Sequence, residues 1–207
     1  MKPGISVHHM VLNPPIDRLA LLVEYLRPYV NEFVIVDTGS SHEDIETMAS
    51  WSTEAAPVRI FCEPFVNFSE TRNKGIERHE YEWTLHLDPD ELPNALMLSH
   101  IVWATKDGAE QFPQAQGWLY WTVNFWGGRL GVEKEYHWHT RLFKTEGGQF
   151  YKPVHEQVRL YGKEESETRN TSFLPKAPKA AYLIHSKPGD VIERDDALYA
   201  ALGEVSK

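Results

Sequence analysis

Through its first 87 residues the chain alternates short apolar runs with segments of helical period, and that alternation restricts it to very few folds. Ile5–Leu12 reads as a strand broken by Asn13-Pro14-Pro15, and Ile16–Leu26 then sets Leu19, Leu22, Val23 and Leu26 on one helical face. Phe33–Asp37 is a short apolar run of the kind found in strands buried on both faces. The turn Thr38-Gly39-Ser40-Ser41 follows, with serines able to cap a helix over Glu43–Trp51. Val58–Cys62 makes a third strand, and Phe68–His79 a third helix capped by Asn67 or Ser69. Trp83, Leu85 and Leu87 alternate with Thr84 and His86 as a fourth strand. The order β-α-β-α-β-α-β implies a mostly parallel, right-handed, Rossmann-like sheet with helices on its faces, an α/β class fold.

The fourth strand runs into Asp88-Pro89-Asp90-Glu91. Pro89 has no amide donor and ends a ladder, so Asp88 and Asp90 fall just beyond the C-terminal end of a central strand. Open α/β sheets place their ligands there. Hard carboxylate oxygens at this spacing suit Mg²⁺ or Mn²⁺ that keeps waters and also grips a diphosphate. The alternative is an acidic turn that only caps a helix over Pro93–Ala104.

Beyond Pro93 the pattern changes. Gly117–Trp126 is aromatic and β-branched and reads as strand. Tyr136–Lys144 and Gln149–Tyr161 read as two more strands joined by a hairpin turn at Glu146-Gly147-Gly148. Glu164–Pro178 reads as a polar loop, Ala180–His185 as a last strand, and Val191–Leu202 as a last helix with Asp190 as its N-cap. A chain of 207 residues suits one domain, 1–207, with a first half at 1–92 and a mixed, aromatic-rich half at 93–207.

No apolar run approaches the length of a membrane span, the N-terminus has no signal-peptide core, and the single cysteine excludes an internal disulfide. These features together lead us to expect a cytoplasmic protein. Cys62 closes an apolar run and is expected to be buried and inert. The formal charge of −9 is uneven: residues 1–140 carry −10, residues 141–189 carry +4, and residues 190–207 carry −3. The basic stretch either faces a diphosphate or a polyanionic acceptor, or is a solvated surface.

Several blocks stand together in a recognisable order. Ser6–Asn13, Val30–Ser41, Phe68-Ser-Glu-Thr-Arg-Asn-Lys-Gly75, Trp83–Glu91, Arg141-Leu-Phe143, Val154-His-Glu-Gln157 and Ile184-His185 followed by Glu193-Arg194-Asp195 resemble the blocks of family 2 glycosyltransferases of the GT-A fold. The resemblance covers residues 5–200. Two positions depart from it, with Pro14 where the family has glutamate and His42 where it has aspartate, both near the donor pocket.

The resemblance implies a nucleotide-diphospho-sugar donor, most often a UDP-sugar, bound with a divalent metal. Asn13 and Asp37 would line the nucleotide site, Asp37 accepting from a base N–H or a ribose hydroxyl. Its plainer role is to cap the following helix. Arg72 and Asn73 would hold the diphosphate or orient the acidic loop, Arg72 through its planar fork. A surface salt bridge is the plainer role for Arg72. Asp90 would ligate the metal directly and Asp88 would contact the ribose or a metal-bound water. His185 is a third metal ligand, a phosphate contact or a packed surface histidine. Inverting transfer needs a base for the acceptor proton, and Glu156 is the candidate, with His155 orienting or replacing it. Glu91 adjoins the metal position and is expected to order the loop. Trp118, Trp121, Trp126 and Trp138 offer ring faces, most of them destined for the core.

Two other readings compete. A nucleotidyltransferase on a similar sheet would open with a glycine-rich basic loop, which Asn13-Pro14-Pro15 is not. A non-catalytic sugar-nucleotide or glycan-binding module would have no need of the intact acidic pair beside Arg72, His155 and Glu156. The acceptor is a sugar or another hydroxyl compound. A polyanionic one, nucleic acid included, would meet Lys152, Arg159 and Lys163.

Overall fold

Strand β1 (Lys2–Val11) lies between β2 (Glu32–Asp37) and β4 (Tyr81–His86), with β3 (Val58–Cys62) outside β2, and all four run parallel. The computed structural model describes residues 1–126, 129–130, 137–153, 156–169 and 171–187, with the backbone alone for 125, 126, 129, 130, 137 and 187. Helices α1 (Ile16–Leu26), α2 (His42–Ser50) and α3 (Phe68–Ile76) make the three crossovers. Their starts follow local chemistry: the Ser41 hydroxyl accepts from the Asp44 amide, and the Asn67 side chain accepts from the Glu70 amide. The expected cap at Asn67, rather than Ser69, is the one used.

After β4 the chain makes a three-residue strand β5 (Glu91–Pro93), helix α4 (Ala95–Thr105), the short α5 (Asp107–Gln111), β6 (Gly117–Trp126), β7 (Arg129–Leu130) and β8 (His137–Lys144). Strand β8 inserts antiparallel between β4 and β6. A further strand in the same sheet, Tyr182–Lys187, lies parallel to β6 and antiparallel to β5, which closes the edge. The fold is thus α/β with a mostly parallel sheet, as expected.

The sheet is buried on two sides by two apolar clusters. Leu19, Leu22, Val23 and Leu26 of α1 and Met97, Leu98 and Ile101 of α4 pack with Trp83, Leu85 and Leu183. Each such side chain contributes about 1.5–3 kcal/mol of burial. Ile76 of α3, Leu119, Trp138 and Phe143 form the second cluster with Phe150, Val158 and Leu160. Gly75 lets α3 approach β1, since a Cβ there would collide with the His8 ring and Val36.

Four expectations need correction. The run Gln149–Tyr161 is two strands, β9 (Gly148–Tyr151) and β10 (Gln157–Leu160), paired with each other as a separate antiparallel hairpin. Lys152 takes a positive φ of 72° and Pro153 cannot donate, so the chain turns back there. Glu146-Gly147-Gly148 turns the chain but joins no hairpin, because the ladder partners of β8 are β4 and β6. The stretch Glu164–Pro178 holds a helical turn, α6 (Glu165–Thr168), whose Glu165 is buried and accepts from Thr140 at 2.7 Å. Cys62 is exposed, because β3 is an edge strand and ends at the open rim of the sheet. The last strand of the sheet is β11 (Tyr182–Lys187) in chain order. Val191–Leu202, its cap Asp190, the block Glu193–Asp195, and His155 lie outside the described residues. No helix among the described residues is long and apolar enough to cross a membrane.

Candidate functional site

The rim at the C-terminal ends of β1, β2, β3 and β4 gathers the turn after Asp37, the loop Leu87–Asp90 and the start of α3. Asp37 is buried, and its carboxylate accepts from the amides of Gly39 at 3.0 Å and Ser40 at 3.1 Å. It shapes its own turn and does not cap α2, which Ser41 does. Asn13 takes a φ of 44°, and its amide donates to the Ser40 hydroxyl at 2.8 Å, joining the first two loops of the rim.

The acidic loop is held from three sides. Glu91, fully buried, accepts the Asp88 amide at 2.9 Å on one oxygen and the Arg141 guanidinium on the other. Arg141 is the extra residue of a bulge: Trp118 pairs with Leu142 while Leu119 pairs with Thr140. Bulges re-aim side chains beside sites, and this one turns Arg141 onto Glu91. Burial pushes the Glu91 carboxyl up to about 7, against the pull of Arg141. Glu91 therefore orders the loop, the role expected of it. On the far side the Asp90 carbonyl accepts from the Ser186 amide at 3.1 Å.

Arg72 occupies the centre. It is buried, donates to Asp88 at 2.7 Å and pairs through its other terminal nitrogen with Glu156. Its guanidinium lies against the rings of Phe68 at 5.7 Å and Phe150 at 5.6 Å. Arg72 thus makes a buried bridge between two carboxylates and not a surface salt bridge. Burial alone would raise the Asp88 carboxyl; the charge of Arg72, joined by His86, Arg141 and His185, outweighs it and holds Asp88 well below the usual carboxylate range.

Asp90 meets His185, Nε2 to Oδ2 at 3.3 Å, and the other ring nitrogen of His185 meets Asn124 Oδ1 at 3.0 Å. The pairing of β11 with β6 in register, His185 opposite Asn124, makes that contact. Asn73 turns away from the rim. Its side-chain amide donates to the Phe150 carbonyl at 2.9 Å and accepts from the Phe150 amide at 2.8 Å. The sequence gives Asn73 to the diphosphate or to the orientation of the acidic loop, whereas both polar atoms of its side chain are taken up by β9.

Beneath the loop lie histidines that the sequence reading passed over. His8 and His86 are fully buried, their ring centroids 5.6 Å apart, with His79 5.4 Å from His8 on the other side. Burial holds all three rings below the ordinary histidine value, His79 at about 3. His86 Nε2 stands 3.8 Å from Asp88. His8 and His86 are polar positions in strands of a sheet expected to carry helices on its faces, and His79 lies in the turn between α3 and β4.

Of the ring faces expected for an acceptor, Trp118 and Trp138 are buried, and Trp121 is half-buried with its ring edge-on to Trp138 at 5.5 Å. The side chain of Trp126 lies outside the described residues. Lys152 donates to Gln157 at 3.0 Å, Arg159 pairs with Glu164 at 3.3 Å, and the Lys163 ammonium stands 5.0 Å over Phe173. All three belong to the β9–β10 hairpin and its exit.

Comparison with known proteins gives a likeness of fold. No protein-family model and no curated protein sequence matches the chain. Among solved structures, residues 1–349 of Staphylococcus aureus TarS in complex with UDP-GlcNAc superpose with a TM-score of 0.59 at 16% identity, covering 90% of this chain and 59% of that one. A longer TarS structure superposes at 0.57 and 15% identity over 100% of this chain and 40% of that one. The chain spans less than two thirds of the length of these structures. At such identity the likeness establishes a GT-A-like fold.

Proposed function

We propose that the chain is a glycosyltransferase that moves a sugar from a nucleotide-diphospho-sugar, a UDP-sugar in the first instance, to a hydroxyl acceptor with inversion. The observation that carries the reading is the constellation at one sheet rim: Asp88 and Asp90 on a loop fixed by Glu91 and Arg141, with Arg72 and His185 beside them. Residues 1–92 supply the donor side and residues 93–207 the acceptor side.

In this reading Asp37 and Asn13 frame the nucleoside pocket, the Asp37 turn presenting its backbone at the rim. Arg72 takes the diphosphate, since its fork is already fixed by Asp88 and by two aromatic rings. The acidic loop fits a hard divalent cation in donor chemistry. Asp90, partly exposed and 3.3 Å from His185, would hold the cation, and Asp88 would serve the ribose or a water on it. Among the described residues no three His, Cys, Asp or Glu side chains converge on one point, so donor phosphates and water would complete the shell. The chemistry a bound Mg²⁺ or Mn²⁺ would supply there is neutralisation of charge on the departing diphosphate.

Glu156 is the base for the acceptor hydroxyl, with His155 its neighbour in sequence. Glu156 stands paired with Arg72, which sets the base beside the group that takes the diphosphate. The basic hairpin suits a polyanionic acceptor. The test is release of UDP from UDP-GlcNAc and related donors with Mn²⁺, in wild type and in Asp90→Asn. The reading expects metal-dependent release that EDTA stops, and an Asp90→Asn protein that is folded and silent. Turnover undiminished by EDTA removes the metal from the mechanism, and tight donor binding with no turnover favours a binding module.

A further inference from the structure

We infer that Asn73 is a positioning residue that fixes the β9–β10 hairpin on α3 and thereby sets Glu156 against Arg72. The inference rests on the glycosyltransferase reading for its catalytic consequence, but the latch itself is a matter of geometry. The hairpin stands outside the main sheet, since β9 and β10 pair only with each other among the described residues. Its placement beside α3 therefore depends on contacts to other elements. Beside the Arg72–Glu156 pair, Asn73 supplies two polar ones: a single side-chain amide satisfies both the N–H and the C=O of Phe150, at 2.8 and 2.9 Å. Such a two-point contact copies a β-ladder pair and fixes direction as well as distance. The Phe68 amide adds one bond, to the Pro153 carbonyl at 3.2 Å.

Residues 72 and 73 are consecutive on α3, so one turn of helix does two things. Arg72 points to Asp88 and Glu156, while Asn73 points to the strand that leads to Glu156. Phe150, the residue gripped, also lays its ring against Arg72 at 5.6 Å and against His86 at 4.8 Å. A shift of β9 on α3 thus moves Glu156 relative to Arg72, whose other terminal nitrogen stays on Asp88. Asp88 is exempt from that shift, because its loop is held by Glu91, Arg141 and Ser186. Loss of the latch should therefore degrade the base and spare the acidic pair. Misplacement of a catalytic group by about 1 Å is enough to cost on the order of 10²-fold.

Two variants test this. Asn73→Asp keeps an acceptor for the Phe150 amide but sets a carboxylate against the Phe150 carbonyl. Asn73→Ala leaves both groups of Phe150 unpaired and serves if Asn73→Asp does not fold. Each is made alone and with Glu156→Gln, and hydrolysis of UDP-GlcNAc with Mn²⁺ is followed well below the melting temperature. The expected result is a rate at least tenfold below wild type, donor affinity within twofold, and less than a twofold further effect when Glu156 is already Gln. An equal effect in both backgrounds, or an unchanged rate with only a lower Tm, overturns the inference. A parallel loss of donor affinity would make Asn73 a donor contact instead. If wild type neither binds nor hydrolyses any nucleotide sugar, the glycosyltransferase reading falls and amide exchange decides the latch alone. Exchange at Phe150 and at residues 156–158 should then be faster in the variant, and unchanged exchange would overturn it.

Discussion

Mild acid should unfold this protein well above the range where carboxylates titrate. Four histidines are buried as neutral rings: His8, His9, His79 and His86. Burial lowers His9 to about 4 and His79 to about 3, and holds His8 and His86 well below their ordinary value. Both ring nitrogens of His8 and His86, and Nε2 of His9 and His79, have no hydrogen-bond partner among the described residues. The unfolded chain takes up a proton on each ring below about pH 6.5, whereas the native protein does not until near pH 4 or lower. Stability is therefore present above pH 6.5 and falls as pH drops below it, by about 1.4 kcal/mol per pH unit per histidine. Glu91 has the opposite sign: its carboxyl is raised to about 7, so the native state gains a proton between about pH 7 and 4.5. Four rings less one carboxyl leave three protons, or about 4 kcal/mol per pH unit near pH 5. From pH 7 to 5 the loss integrates to about 5 kcal/mol, comparable with the whole stability of many domains. Urea unfolding in half-unit steps from pH 7.5 to 5 reads this directly. His79→Asn keeps a polar atom for Thr84, which His79 Nδ1 meets at 2.8 Å, and should remove one proton from the slope. A flat profile between pH 7 and 5, with loss only below pH 4, would refute the neutral burial of these rings.

Glu156→Gln should lower transfer by about 10²–10⁴-fold, as for a general base, with donor affinity nearly unchanged by calorimetry. Arg141→Ala should destabilise the fold by about 3–5 kcal/mol, because Glu91 is left buried and unpaired, and Glu91→Gln in the same chain should recover part of it in denaturant melts. For a polyanionic acceptor, the logarithm of affinity should fall with log salt by roughly 0.7–0.9 per phosphate neutralised. Replacing Lys152, Arg159 and Lys163 together by alanine should flatten that slope and leave the donor's slope unchanged; equal slopes would return these residues to the solvated surface.

The order of elements was legible because its signals are local. Strand runs, helix faces and the caps at Ser41 and Asn67 each lie within a few residues of what they specify. The carboxylates of the site were legible for the same reason, since a strand end followed by Pro89 places Asp88 and Asp90 at the rim. What holds them there was not legible. The partner of Glu91 stands 50 residues on, aimed by a bulge that depends on the pairing of β6 with β8. The partner of Asn73 is a backbone 77 residues on, and no side-chain pattern marks a backbone. The break in Gln149–Tyr161 did carry a signal, Pro153 inside a supposed strand, which demotes such a run. His8 and His86 sit in strands whose period 2 places polar residues on an open face; α3 and the hairpin cover that face.

The central claim is that the acidic rim binds a nucleotide-diphospho-sugar together with a divalent metal. Thermal unfolding of the wild-type protein with a panel of nucleotide sugars, with and without Mn²⁺, tests it most directly. The account predicts that a UDP-sugar with Mn²⁺ stabilises the fold by about 2.7 kcal/mol at a hundredfold excess over Kd. Most of that gain should vanish in EDTA and in Asp90→Asn. No stabilisation by any nucleotide sugar in the presence of Mn²⁺, or equal stabilisation with Asp90 replaced, would contradict it.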